Sequence, residues 1–234
     1  RNSSVKGFVY NMPVLAIISD SNGSGKTATA SALKLELEKT GSGLNLIKLS
    51  SPSETSDVED KIYSNLQPKS QSPTSIEINS EEIKQTDIQN LKSIVKEAAT
   101  QKNALAIEIT SSLSDDIIQT IINELDAKVL IVSTHTPDMP NLSLRKLTTT
   151  YTDKIIGVII NKQLRYRKTE LKENVLPQLT QHGVDCLGII PEDKSLMAIS
   201  LLDLAKHLEA KLVTDSEPED KLIDYFLIGG MGLD

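Results

Sequence analysis

The feature that most constrains the fold is an apolar run that passes into a glycine-rich loop, over residues 14–27. The run opens with five apolar residues and no polar alternation, which is typical of a strand buried on both faces of a sheet. After the loop, apolar residues recur at helical spacing up to Thr40. A strand, a GxGKT sequence and an amphipathic helix in this order predict a phosphate-binding loop.

The residue types in this loop suit a nucleotide. Glycines let backbone N–H groups converge on phosphate oxygens, and the following helix presents its positive end to them. The lysine can reach the β- and γ-phosphates, and the threonine hydroxyl can bind Mg²⁺. Lys26 is therefore also a candidate catalytic cation. The candidate nucleotide-binding residues are Asn22, Gly23, Ser24, Gly25, Lys26 and Thr27.

The candidate set ends at Thr27. We assign no ligand role to position 28, the next residue of the predicted helix. A threonine at position 28 would offer a second hydroxyl beside that of Thr27, but the chain has Ala28 there.

Asp20 opposes this interpretation of the loop. The pattern GxxxxGK[ST] has a glycine where this chain has Asp20. A carboxylate beside a phosphate site repels the ligand unless it serves Mg²⁺ or faces away. The alternative is a strand-to-helix turn that has lost its ligand.

Composition limits the classes of function. A chain of 234 residues with 38% apolar content can bury a full core, and we interpret it as one large domain. The net charge of -7 argues against a general nucleic-acid or membrane-surface protein, since both need a positive surface. The sequence contains no apolar stretch of about eighteen residues, and its single cysteine, Cys186, lies in an apolar run. We therefore expect a cytoplasmic protein.

We expect three segments. Residues 1–11 are interpreted as a disordered leader before Met12, residues 12–214 as the phosphate-loop domain, and residues 215–234 as a tail or linker. The apolar end of the tail predicts a further domain after it, or docking of the tail against a partner.

Apolar runs alternate with helical patterns through the domain. This alternation predicts an α/β fold, a doubly wound and mostly parallel sheet of six to seven strands with helices on both faces. Residues 67–82 are polar and broken by proline, which predicts a surface loop. The predicted strands cover residues 14–18, 44–48, 104–110, 128–133, 155–162 and 184–190, with a short strand at 211–213; the predicted helices cover residues 27–40, 57–66, 86–101, 114–125, 168–182 with a break at Pro177, and 199–208.

Two charged residues in the predicted strands are candidate site residues. Ligands of open α/β sheets bind at the carboxyl edge of the strands, where Lys48 stands. Lys48 is either an anion or substrate contact or a solvated lysine. Glu108 lies inside an apolar strand, and a buried carboxylate must be paired or bind a cation. Its partner is either the Mg²⁺ of a nucleotide or a basic side chain of the core.

Five sequence motifs follow one another along the chain: the loop at 19–27, the strand with Glu108, GVIINK at 157–162, GIIPED at 188–193 and IGGM at 228–231. Together they resemble the dethiobiotin synthetase-like P-loop domain that stands at the N-terminus of many phosphate acetyltransferases and precedes DRTGG domains. The resemblance covers nearly all of residues 13–232.

This resemblance implies ATP and Mg²⁺ as cofactors and a homodimer. It also implies substrate or catalytic roles for Lys48 and Ser50, which follow the second strand. The ligand sets that it implies are residues 23–27 for the triphosphate, Thr27, Glu108 and Asp57 for Mg²⁺, and Asn161 and Pro191 for the base.

The chain departs from the synthetase at several positions. Ser19 stands where the enzyme has its first loop glycine, and Leu49 replaces the proline after the strand-two lysine. Ile109 stands where a glycine backbone should approach the substrate, which argues against the synthetase reaction.

The leading hypothesis is an Mg-ATP-binding domain with a regulatory or assembly role toward a downstream domain or partner protein. The alternative is an ATP-dependent carboxylase that forms a cyclic urea through a phosphorylated carbamate. A nucleotide-free scaffold is the second alternative.

Overall fold

The computed structural model of the protein describes residues 14–52, 75–100, 103–193, 198–211, 213 and 221–223. The chain divides into two compact units, one ending at Ile190 and the other beginning at Pro191. Asp57 and the predicted helix at 57–66 lie outside the described residues, as do residues 1–11.

A seven-stranded sheet organises the fold, in the order β3-β2-β4-β1-β5-β6-β7. The registers of β1, β2, β4, β5 and their neighbours are parallel. The strands are β1 (Val14–Ser19), β2 (Leu44–Ser50), β3 (Ser75–Glu77), β4 (Ala104–Ile109), β5 (Lys128–Thr134), β6 (Ile155–Gln163) and β7 (Cys186–Pro191). In the second unit an antiparallel pair forms between β8 (Ile199–Ser200) and β9 (Leu222–Ile223).

Helices connect the strands. Those in the described residues are α1 (Lys26–Lys39), α2 (Gln85–Thr100), α3 (Asp115–Glu124), α4 (Leu142–Thr150), α5 (Lys168–Glu170), α6 (Leu176–Gln181) and α7 (Leu201–His207). A 3₁₀ turn (Arg165–Arg167) precedes α5, and a π-helical turn (Leu171–Val175) joins α5 to α6. Each of these helices is too short or too polar to cross a lipid bilayer.

The central strands are buried on both faces, as their unbroken apolar runs predict. In β1, Ala16 and Ile18 pack into the core that α2 and α3 cover, whereas Ile17 packs on the opposite side. There it meets Ala30 and Leu33 of α1. The prediction of a doubly wound parallel sheet with helices on both faces is confirmed.

The topology places the candidate site. The chain leaves β1 toward β2 and β3, returns to β4 beside β1, and continues to β5 on the other side of β1. In doubly wound sheets, ligands bind at the carboxyl edge where the strand order reverses in this way. That edge carries the loop between β1 and α1.

Two sequence predictions are wrong, and one helix was missed. The surface loop predicted at 67–82 contains β3. Lys211 and Val213, the described ends of the strand predicted at 211–213, are not in a strand. The pattern gave no indication of α4. The helix predicted at 168–182 departs from α-helical geometry next to Pro177, where a break was predicted. Pro177 lies in the first turn of α6, and because proline has no N–H to donate, the chain passes through the π-helical turn before it.

Candidate functional site

The loop of residues 19–27, called the phosphate loop here, joins the end of β1 to the start of α1. Gly23 and Gly25 have φ values of 69° and 93°, in the left-handed region that glycine occupies at little cost. Gly25 caps α1 without a side-chain hydrogen bond, and the first turn of α1 has no acidic residue. The positive end of a 14-residue helix therefore carries no negative side chain of its own.

Hydroxyl groups hold the first half of the phosphate loop. The hydroxyls of Ser19 and Ser24 both donate to the Ser21 carbonyl, at 2.8 and 2.6 Å. Asn22 is tied to β4, because its Oδ1 accepts a hydrogen bond from the Ser111 hydroxyl. The loop is thus fixed to the same edge of the sheet as the end of β4.

Lys26 is a buried cation in the first turn of α1, with 8% of its surface exposed. Its Nζ donates to Ser19 Oγ at 2.8 Å, so the ammonium lies back over the start of the phosphate loop. The charge is therefore held at the phosphate loop, where the sequence predicts that it meets phosphate oxygens.

Thr27 and Glu108 meet across the sheet edge. The Thr27 hydroxyl donates to Glu108 Oε1 at 2.9 Å, and only 3% of Glu108 is exposed. Glu108 alternates with residues of the opposite core, so its side chain lies on the α1 face of β4. A hydroxyl and a carboxylate at this distance are oxygen donors of the kind that Mg²⁺ takes.

Position 28 adds no side-chain ligand to this pair. Position 28 is Ala28, whose methyl group is exposed in the first turn of α1. The next hydroxyl along the helix belongs to Thr29, and it donates to the Gly25 carbonyl at 2.9 Å. Thr27 is therefore the threonine of this turn whose hydroxyl reaches Glu108 on β4.

The pair of Thr27 with Glu108 fits a nucleotide-bound Mg²⁺ better than a metal held by protein alone. Among the described residues, no group of three or more His, Cys, Asp or Glu side chains is placed to hold a metal ion. Mg²⁺ commonly takes one or two protein oxygens and completes its shell with phosphates and water. Thr27 and Glu108 would be the protein oxygens.

Lys48 lies beside Glu108 in the sheet. The two residues are register partners on β2 and β4, and only 4% of Lys48 is exposed. The interpretation of Lys48 as a solvated lysine is therefore wrong. Ser50, also buried, lies at the end of β2 with its Oγ 3.4 Å from Ser75 Oγ on β3.

The Asp20 carboxylate is hydrogen-bonded to residues outside its loop. Its Oδ2 accepts hydrogen bonds from Ser133 Oγ at 2.7 Å and from Asn141 Nδ2 at 2.9 Å. Asn141 also caps α4, because its Oδ1 accepts from the Leu144 N–H at 2.7 Å. The carboxylate is thus held by two neutral donors on β5 and α4. Neither donor was predicted from the sequence, although Asn141 before a run with apolar residues at helical spacing is a cap signal.

Of the two residues expected near the base, Asn161 reaches the phosphate loop. It stands near the end of β6, and its Nδ2 donates to the Ser24 carbonyl at 2.8 Å. Pro191 begins the second unit of the chain. The contact of either residue with a base stays a prediction.

A cavity of about 180 Å³ adjoins the phosphate loop on the sheet face opposite α1. Ser19 and Asp20 form one wall, and Thr110 and Ser111 at the end of β4 form another. The ion pair of Lys146 with Asp115, which lies among the lining residues, raises the pKa of Lys146 through its hydrogen bond and charge.

His135 is buried in the loop after β5, with 4% of its surface exposed. Its backbone N–H donates to the Asn161 carbonyl at 2.9 Å, and neither ring nitrogen has a hydrogen-bond partner among the described residues. Burial lowers its pKa, the Glu170 carboxylate opposes this, and Arg167 adds to the lowering. Burial, the largest of these effects, therefore favours the neutral form of the ring.

Solved structures show the same fold at low sequence identity. The chain is similar to MinD in the MinC:MinD cell division protein complex of Aquifex aeolicus, with a TM-score of 0.53 and 17% identity over 79% of this chain and 83% of that one. A plasmid partition protein of Borrelia burgdorferi gives a TM-score of 0.52 and 18% identity over 77% and 91%. These likenesses establish the fold.

Sequence comparison gives the family. A search of the curated proteins found no match. A family model described as an AAA domain matches residues 14–200, which include the phosphate loop, Glu108 and Asn161. The match covers most of the chain and agrees with the loop geometry. The chain therefore belongs to this AAA domain family of P-loop NTPases.

Proposed function

We propose that the domain binds Mg-ATP on the phosphate loop. The observation that carries the proposal is the hydrogen bond of Thr27 to the buried Glu108. It brings a hydroxyl of α1 and a carboxylate of β4 together, and these are the oxygens that a nucleotide-bound Mg²⁺ would use. The positive end of α1, whose first turn has no acidic residue of its own, and the buried ammonium of Lys26 support the same assignment. The hydrogen bonds that Asp20 accepts from Ser133 and Asn141 also favour nucleotide binding over a nucleotide-free scaffold, because they give this carboxylate partners within the protein.

We assign the bound nucleotide a regulatory or assembly role, as in the N-terminal domain of phosphate acetyltransferases. Ile109 supports this role, since it is fully buried in the core at the position where the synthetase needs glycine. A side chain packed in this way cannot give up its place to substrate without opening the core. The same fold also occurs in a complex of MinD with a partner protein. A homodimer, implied by the resemblance, belongs to this proposal.

The role of Glu108 can be tested by its amide. Glu108→Gln keeps an oxygen that accepts the Thr27 hydrogen bond but removes the charge that favours Mg²⁺. We expect ATP binding in EDTA to be unchanged and the gain in affinity on adding Mg²⁺ to fall by about tenfold, within the range for weakened metal sites. Calorimetric titrations with and without Mg²⁺ measure both quantities.

A matched control is Glu124→Gln, which removes one exposed carboxylate at the end of α3. This variant should retain the full Mg²⁺ effect. An unchanged Mg²⁺ effect in Glu108→Gln would contradict the metal role of this carboxylate.

A second candidate function is the ATP-dependent carboxylase. The cavity beside Ser19 favours it, because a small substrate there would lie next to the phosphates on the loop. The discriminating assay is turnover of diaminopelargonic acid with bicarbonate and ATP. Product formation would support the enzyme, and its absence in a folded sample that binds Mg-ATP would exclude this reaction.

A further inference from the structure

Two adjacent residues at the end of β6 hold two adjacent carbonyls of the phosphate loop. Asn161 Nδ2 donates to the Ser24 carbonyl, and Lys162 Nζ donates to the Gly23 carbonyl, both at 2.8 Å. These contacts cross from β6 to a loop that precedes it by more than a hundred residues. Lys162 did not enter the set of site residues predicted from the sequence.

The backbone conformation at Lys162 is unusual for a residue of a strand. Lys162 has φ of 54°, in the left-handed region that side chains other than glycine and asparagine seldom adopt. Its N–H donates to the Oδ1 of the preceding residue, Asn161, at 2.8 Å, which links the two residues directly. A disfavoured conformation of this kind persists only where the surrounding contacts determine it, and it often marks a functional position.

The phosphate loop is shaped to receive the pair. A Cβ at Gly25 would lie 2.2 Å from Asn161 Nδ2, so only glycine leaves room for the amide. The amide thus reaches Ser24 through the space that Gly25 leaves open. The contact between β6 and the phosphate loop therefore depends on a glycine at position 25.

The chemistry of the contact concerns the direction of the loop peptides. A phosphate needs N–H groups turned toward it and carbonyl oxygens turned away, since a carbonyl oxygen repels the anion. Donors on β6 hold the carbonyls of Gly23 and Ser24, while the Ser19 and Ser24 hydroxyls hold that of Ser21. Lys162 also brings an ammonium to the tip of the loop.

We propose that Asn161 and Lys162 form a clamp that keeps the phosphate loop in its anion-binding conformation, with Lys162 as a positioning residue of the nucleotide site. This inference rests on the proposed binding of Mg-ATP. Because the Lys162 ammonium is partly exposed, its charge is screened and its contribution is smaller than that of the buried Lys26.

Lys162→Gly is the informative variant. Glycine adopts the left-handed conformation freely, so the backbone at position 162 is kept and only the side chain is lost. We expect two changes: faster amide hydrogen exchange at residues 21–25 in the nucleotide-free protein, and Mg-ATP affinity about tenfold lower. Lys162→Arg, which retains a charged donor, should restore most of both.

The control is Lys128→Ala. It removes the same charge from an exposed residue at the start of β5, the end of that strand away from the phosphate loop. It should change neither measurement. Two results would overturn the clamp. The first is an unchanged rate of amide exchange at residues 21–25 in Lys162→Gly. The second is an Mg-ATP affinity of Lys162→Gly equal to that of the wild type, where the wild type binds Mg-ATP. If the wild type bound no nucleotide, the proposed function would fail, and the exchange measurement would still decide whether the clamp exists.

Discussion

Replacing Lys26 by methionine should weaken Mg-ATP binding by about a hundredfold with little loss of stability. Hydrogen bonds to a charged group contribute about 1.5–3 kcal/mol, and this ammonium is buried at the phosphate loop. Methionine fills the space of the aliphatic stem, so the first turn of α1 keeps its packing. Calorimetric titration measures the affinity, and thermal unfolding measures the stability.

Lys34 provides a matched control on the same helix. It is also buried, but its Nζ donates to the Leu44 carbonyl at 2.8 Å and pairs with Glu38, away from the phosphate loop. Lys34→Met should therefore lower the melting temperature while leaving Mg-ATP affinity near that of the wild type. Equal affinity losses in the two variants would mean that Lys26 acts through folding alone.

Among single changes in the phosphate loop, Gly25→Ala should lower the melting temperature most. The alanine must adopt φ of 93°, and its Cβ would overlap the Asn161 amide and displace it from the Ser24 carbonyl. The strained backbone costs about 1–3 kcal/mol and the lost hydrogen bond about 0.5–1.5 kcal/mol. At roughly 2–4 °C per kcal/mol for a chain of this size, the melting temperature should fall by roughly 3–18 °C.

Gly23→Ala separates the two causes. Gly23 also has positive φ, but a Cβ there would meet nothing within 4 Å. This variant should show the backbone cost alone. In Gly25→Ala, the additional change Asn161→Ala should relieve the overlap and recover part of the loss. Equal melting temperatures for Gly23→Ala and Gly25→Ala would contradict the Asn161 contact.

The centre of the fold could be predicted because its signals are local. The unbroken apolar run of β1, the glycines and the helical spacing of α1 stand next to one another in the chain. Glu108 could be identified as a candidate because a charge inside an apolar strand is costly unless it has a partner. The structure places it within hydrogen-bonding distance of Thr27.

The remaining features depend on contacts between distant segments. The direction of Asp20 is set by Ser133 and Asn141, which lie 113 and 121 residues further on. No local pattern indicates that these donors converge on the carboxylate. β3 has only three residues and no distinct apolar run, so its pairing with β2 defines it. Lys162 likewise resembles any strand-end lysine until its partner Gly23 is known.

Calorimetric titration of Mg-ATP into the wild-type protein decides whether the phosphate loop is a working nucleotide site. The geometry of the phosphate loop, Lys26 and the pair of Thr27 with Glu108 predicts saturable binding at one site per chain. The affinity should be in the micromolar range and should weaken when Mg²⁺ is removed. A folded protein that gave no binding at millimolar Mg-ATP would contradict the account, and the loop would then be a structural turn.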